Sequence, residues 1–197
     1  MKVANVQAGH DLADPRAATW TSIAHESVSL APVPLRNQPN EYIRTKWADR
    51  PYGETPSASV AAASDGERIY LLLEWEDDPR PNGEFQDGAA VLFSSGNSDG
   101  LATLGTPTSP MTLWYWEDRR PAPLVLQSSG PGVFRKQGNG NLAAQAGLRD
   151  GRWSVVLSGP AAIPPDAKVG VAVWNGTNEE RAGLAAVSRE WLPLELS

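Results

Sequence analysis

Two apolar, aromatic-rich runs, Phe85-Gln-Asp-Gly-Ala-Ala-Val-Leu-Phe93 and Pro110-Met-Thr-Leu-Trp-Tyr-Trp-Glu-Asp118, stand on either side of one irregular loop rich in Gly, Ser, Thr and Pro. Runs of this length, bounded by turn formers, are strands of a β-sheet. A third run, Arg68 to Trp75, follows Ser57–Ala63 through Ser64-Asp-Gly-Glu67, a hairpin in which Asp65-Gly66 supplies the positive-φ positions. Ile69, Leu71, Leu73 and Trp75 alternate with Tyr70, Leu72 and Glu74. Both faces are largely apolar, so this strand is central and covered on both sides.

The same pattern extends along the chain. Strands are expected near 58–63, 68–75, 87–93, 111–116, 152–157 and 169–174, with a short one at Leu124–Leu126 and a last one at Trp191–Leu196. Ser27–Leu35 reads as an edge strand, because Pro32 and Pro34 cannot donate to a ladder. Residues 1–10 read as an extended lead-in, Trp20 as a plug at the edge of the core, 37–56 as a loop, and 130–151 as a Gly-, Asn- and Gln-rich excursion. The segment 94–109 is long enough for a loop to suggest a role. With 197 residues, the expectation is an all-β, antiparallel β-sandwich with long loops, one domain spanning 1–197.

Composition removes whole chemistries. The absence of cysteine excludes disulfides, thiolate zinc sites, iron–sulfur ligation and a cysteine nucleophile. A net charge of −6 without a run of Lys or Arg argues against nucleic acid and anionic membrane as partners. No segment approaches the roughly 18 apolar residues of a membrane span, and the first ten residues lack the apolar stretch of a secretory signal. The expected location is the cytoplasm as written, or the periplasm if a partner carries the chain out or a leader has been removed.

Local signals for catalysis are absent: no Gly-x-Ser-x-Gly, no Walker loop and no dinucleotide fingerprint. His10 and His25 lie fifteen apart in the least regular part of the chain and read as surface or structural residues. Glu74, Glu76, Asp77 and Asp78 cluster at a strand end; a solvated end is the stronger reading and a calcium site the weaker. Eight tryptophans are many for this length, and Trp114 and Trp116 share a strand face, where they either fill the core or form a stacking platform for a sugar ring or planar cofactor.

The two opening runs, the Asp-Gly-Arg-Trp-Ser-Val-Val-Leu run at 150–157, and Val171-Ala-Val-Trp-Asn-Gly176 followed by Glu180-Arg-Ala-Gly183 and Val187-Ser188 resemble the haem-binding γ subunit of the ethylbenzene dehydrogenase and dimethylsulfide dehydrogenase family over roughly Asp11 to Leu196. The resemblance implies a β-sandwich carrying one b-type haem. In that family it passes electrons between the iron–sulfur subunit of a molybdenum enzyme and an outside carrier. It also implies two axial ligands: a methionine in a Met-Gly pair ten residues before the first Trp of the Trp-x-Trp strand, and a lysine two residues after the Gly of the Glu-Arg-x-Gly segment.

Here those positions are Leu104 and Ala185, neither of which can donate to iron. Both donors are missing while the sandwich motifs persist, which points to an abandoned haem site closed by Leu104 and its loop neighbours. Met111, the only internal methionine, is expected to pack in the core and is the one substitute ligand to weigh, ahead of His10 and His25; Lys2, Lys46, Lys136 and Lys168 do not match the family's lysine position. The leading expectation is a non-catalytic, γ-like accessory subunit without cofactor, partnered by a molybdenum catalytic subunit and an iron–sulfur subunit. The alternatives are a haem b electron-transfer subunit with substitute ligands, and a carbohydrate- or small-ligand-binding sandwich module.

Overall fold

The computed structural model describes residues 1–7, 11–77, 85–94, 100–161 and 166–196, with residue 196 described by its backbone only. Its elements are β1 (Lys2–Asn5), β2 (Glu26–Pro32), α1 (Glu41–Lys46), β3 (Ser57–Ser64), β4 (Arg68–Glu76), β5 (Gly88–Ser94), β6 (Met111–Glu117), β7 (Leu124–Ser128), β8 (Phe134–Gly138), β9 (Ala143–Arg149), β10 (Arg152–Pro160), β11 (Lys168–Trp174), β12 (Ala186–Ser188), β13 (Leu192–Pro193) and β14 (Glu195–Leu196), with short 3-10 turns at Ala18–Ser22, Leu35–Asn37, Leu101–Thr103 and Gly176–Asn178.

The strands form one curled, mostly antiparallel sheet in the order β8-β7-β6-β5-β11-β12-β2-β3-β4-β10-β9. The curl turns at β2. Its first half, Glu26–Ser29, pairs with β3, and its second half, Leu30–Pro32, pairs with β12. A strand that changes partners part-way along bends the sheet into two layers. Pro32 lies at the end of β2 and Pro34 beyond it, so neither interrupts a central ladder.

Three apolar clusters follow from this curl. Between the layers lie Val60, Leu71, Leu73, Trp75, Val155 and Leu157 from one side and Val91, Trp114, Trp116, Val169, Val171 and Val173 from the other. The outer face of β3, β4 and β10 carries Ala61, Ala63, Leu72 and Val156, covered by Leu12, Trp20 and Ile23. The outer face of β5, β6 and β11 carries Ala90, Leu92, Leu113, Ala172 and Trp174, covered by Leu101 and Leu104. Each central strand is therefore buried on both faces, which explains why β4 is apolar at odd and even positions alike.

Four expectations need correction. Residues 37–56 are not all loop: Asn40 accepts from the Tyr42 amide and caps α1, which the turn-forming composition around it hides. The 130–151 excursion contains β8 and β9, whose mostly exposed side chains leave no apolar alternation to detect. The closing strand breaks at Leu194 into β13, paired with β11, and β14, paired in parallel with β1. At Asp65-Gly66 only Gly66 has positive φ; Asp65 instead accepts from the Glu67 and Arg68 amides at 3.0 and 2.7 Å, turning the chain through its carboxylate. Asp150-Gly151, by contrast, has both residues at positive φ, 51° and 74°, as a two-residue hairpin requires.

Candidate functional site

Alternation along β5, β6 and β11 places Ala90 and Leu92, Met111 and Leu113, and Ala172 and Trp174 on one outer face. Residues 100–105 cross that face. Leu101 is 6 % exposed and Leu104 fully buried, and Ala185 and Val187, beside β12, join the same cluster. The structure thus brings Leu104, Ala185 and Met111 into one apolar body.

The crossing segment is held by polar ties as well as burial. The Leu104 carbonyl accepts from the Ser128 hydroxyl at 2.5 Å, and the Ala102 carbonyl from the Asn37 side chain at 3.0 Å. Leu104 itself is left-handed, φ 50° and ψ 44°, which is costly for a residue with a Cβ and persists only where the surroundings over-determine it. Gly105 must be glycine: its φ is 84°, and an added Cβ would stand 2.6 Å from the Ser128 carbonyl. Gly170 on β11 is the seat of Leu101, since a Cβ there would lie 2.6 Å from the Leu101 side chain.

Ala185 is fixed from the other side. Its carbonyl accepts from the Val33 amide at 2.9 Å. Five residues before it, Glu180 is 2 % exposed and has no arginine partner among the described residues; its carboxylate accepts from the amides of Gly53 and Asn175 at 2.6 and 2.9 Å and from the Asn178 side chain at 3.1 Å. Burial pushes the Glu180 carboxyl up, and these hydrogen bonds oppose the rise. Arg50 binds Glu179 instead, at 2.8 Å, while Arg181 lies over the Phe85 ring. Burial and the neighbouring Glu117, whose carboxylate accepts from Tyr115 at 2.7 Å, also push up the Tyr115 phenol, whose ring stands edge-on to Trp174. A surface cleft of about 290 Å³ opens beside this region, between Gln38–Asn40, Pro131–Gly132 and Arg181–Leu184.

The other residues singled out in the sequence lie elsewhere. Trp114 and Trp116 share a face, and that face is the inner one: both are buried, Trp116 in a cluster with Trp75 and Trp153 at centroid distances of 5.0 to 6.3 Å. They form no platform for a sugar ring. His25 sits on the outer face of the other layer, its ring nitrogens 3.1 Å from the Ser59 hydroxyl and the Trp20 carbonyl. Glu74 and Glu76 bind Arg152 at 3.3 and 2.7 Å, and no group of three or more acidic or histidine side chains able to hold a metal occurs among the described residues. His10 and Asp78 lie outside the described residues. Ser128, Asn37 and the buried role of Glu180 have no sequence signature, because each acts through a main-chain partner distant along the chain.

No family model matches the chain. Three curated proteins do. The chlorate reductase subunit gamma of Ideonella dechloratans is 29 % identical over 204 residues, 95 % of this chain and 81 % of that protein. The dimethylsulfide dehydrogenase subunit gamma of Rhodovulum sulfidophilum is 30 % identical over 153 residues, 68 % of this chain and 58 % of that protein. These similarities support a γ subunit of the same family. A third member, from Haloferax mediterranei, has a name that carries the words heme subunit of a respiratory nitrate reductase; it is 29 % identical over 195 residues, covering 90 % of this chain and 66 % of its own.

Solved structures agree on the fold. A Bacteroides uniformis protein assigned to carbohydrate binding superposes with a TM-score of 0.58 at 12 % identity, covering all of this chain and 98 % of that one. A family 9 carbohydrate-binding module from Caldicellulosiruptor kristjanssonii, solved with glucose, gives 0.54 at 8 %, covering all of this chain and 95 % of the module. At such identities the likeness establishes the sandwich and nothing about ligands.

The resemblance to the haem-binding members can be tested against the side chains present. An axial ligand must offer a lone pair. Leu104 offers an aliphatic side chain and Ala185 a methyl group, and both are wholly enclosed by other apolar side chains. The residues at those two positions do not fit a haem.

Proposed function

We propose that this γ-family chain is a non-catalytic accessory subunit of a molybdoenzyme oxidoreductase complex, and that it works without the haem of its relatives. The supporting observation is the closed cluster in which Leu104 and Ala185 meet, packed by Leu101, Met111, Trp174 and Val187 where two iron ligands would be needed. The chain then contributes contacts to a molybdenum catalytic subunit and an iron–sulfur subunit, and supplies no reacting group of its own. In that setting its apolar closure is a way of keeping the scaffold after the cofactor: an empty void of that size would be costly.

The test is a visible spectrum of the purified protein together with mass spectrometry of what copurifies. The expected result is no Soret band and two larger subunits. Restoring donors by Leu104→Met with Ala185→Lys will not suffice for haem binding, because Leu101 still lies against Gly170; adding Leu101→Ala is the expected minimum for a regained band.

One observation favours a second reading, a b haem on substitute donors. Met111 belongs to the same cluster, and by strand alternation Lys168 stands on the same outer face of β11 as Gly170 and Ala172. Lys168 pairs with Ser94 of β5, and Met111 precedes the Thr112 that pairs with Phe93, so the two donors lie in one row, two strands and roughly 10 Å apart. Under that reading the purified protein carries a Soret band that Met111→Ala or Lys168→Ala abolishes.

A further inference from the structure

The two ends of the sheet order are unequal. At one end β8 is blunted in the usual way, with Arg135 and Lys136 exposed in its middle. At the other end β9 runs Ala-Ala-Gln-Ala-Gly-Leu-Arg, with one charge, at its last residue. It pairs with β10 from Ala143 to Arg149 and, among the described residues, with no other strand. Such an edge offers a row of main-chain donors and acceptors to another chain.

Gly147 sharpens this. Its φ is not in the left-handed region, and an added Cβ would meet nothing within 4 Å among the described residues, so neither conformation nor their packing requires glycine. Glycine within a strand weakens it through backbone entropy and the missing side chain. The remaining reason for one is close approach of another backbone. A groove of about 490 Å³ runs beside it, lined by Gln145–Arg149, Ser154 and the Asp14–Arg16 turn. Asp14 and Arg16 satisfy each other at 3.1 Å, and Arg152 is satisfied by Glu74 and Glu76. Arg149 has no ion pair among the described residues.

We infer that β9 is completed by an extended strand of a second, different polypeptide, which carries an acidic side chain where it passes Arg149. Strand addition supplies affinity through main-chain hydrogen bonds, and side-chain matches supply specificity. A second copy of this chain fits less well: two-fold pairing centred on Ala146, the register that uses all seven residues, sets Ala143 of the copy opposite Arg149 and leaves the cation unmatched. The inference rests on the reading of the chain as one subunit of a larger complex.

The experiment produces the tagged full chain in its source organism, wild type and with Gly147→Val, Arg149→Glu or, as a control on the opposite edge, Lys136→Glu. The partner recovered with each is quantified, and a photo-crosslinker at Gln145 maps where it lies. The expected result is an about tenfold loss of partner for Gly147→Val and for Arg149→Glu, and none for Lys136→Glu. Isolated Gly147→Val should melt no lower than wild type, and the cross-link should fall on an acidic, extended peptide of another polypeptide. A complex that forms undiminished with both β9 variants, or a cross-link to this chain's own sequence, overturns the strand-addition inference and leaves the subunit reading intact. A lowered melting midpoint for Gly147→Val would show that the glycine serves this chain's own fold, and would also overturn the inference. A chain that purifies alone overturns both.

Discussion

Over β4 and β10 the outer face is covered by Leu12, Trp20 and Ile23, whereas over β5 and β11 it is covered by Leu101 and Leu104 from residues 100–105. The first cover is a single large plug, and the indole N–H of Trp20 is buried without a hydrogen-bond partner. The second is smaller in side-chain bulk but pinned by the Ser128 and Asn37 bonds to its carbonyls and by a left-handed Leu104. One face is held closed by burial and by the His25 ring, which bridges the Trp20 carbonyl and the Ser59 hydroxyl. The other is held by burial together with a specified backbone path.

The largest effect expected from this contrast is at the plug. Trp20→Ala should cost about 3–5 kcal/mol, since nothing else fills its place over Leu72 and Val156. A loss under about 1 kcal/mol in urea unfolding would show that residues 11–23 are not part of the cooperative core. Leu101→Ala should follow at about 2–4 kcal/mol, the cavity forming directly over Gly170.

Glu180 tests the anchoring of Ala185. Glu180→Gln should cost about 1–3 kcal/mol, because an amide nitrogen must face one of the N–H groups that the carboxylate now accepts. The sign of its pH dependence is fixed by the raised folded pKa. The unfolded group titrates near 4.5, so the folded state binds the extra proton, and stability from this group is present below that value and is lost as pH rises through the folded pKa. Urea midpoints from pH 4 upward should show this decline in the wild type and a flatter profile in Glu180→Gln. Smaller still is the backbone effect at Leu104: Leu104→Gly should be about 1 kcal/mol less destabilising than Leu104→Ala, as glycine relieves the left-handed strain. Equal losses for the two would mean that the strain is not stored there.

Much of the sandwich was legible. The alternation at Arg68–Trp75, Phe85–Phe93, Met111–Trp116, Arg152–Leu157 and Lys168–Trp174 predicts strands that appear within a few residues of their observed ends. What alternation cannot carry is a strand with exposed side chains, so β8 and β9 went unseen, and β9 is the edge with the most consequence. The positions Leu104 and Ala185 are singled out only through resemblance. Leu104 and Ala185 are far apart in sequence and ordinary in kind; their meeting depends on Ser128, Gly53 and Glu180, whose effect is on backbone carbonyls and amides rather than on any motif. Trp114 and Trp116 show the converse: their shared face was readable, but whether it turned inward depended on the curl at β2.

The central claim is that side chains now occupy the place of the family's haem. It is tested most directly by the absorption spectrum of the protein purified in its own complex, before and after titration with haemin. For the unmodified chain the account predicts no Soret band before titration and, after it, only the broad absorption of free haemin, without the sharp, shifted band of a haem held by two axial ligands. A stoichiometric Soret absorbance, lost in Met111→Ala, would contradict it.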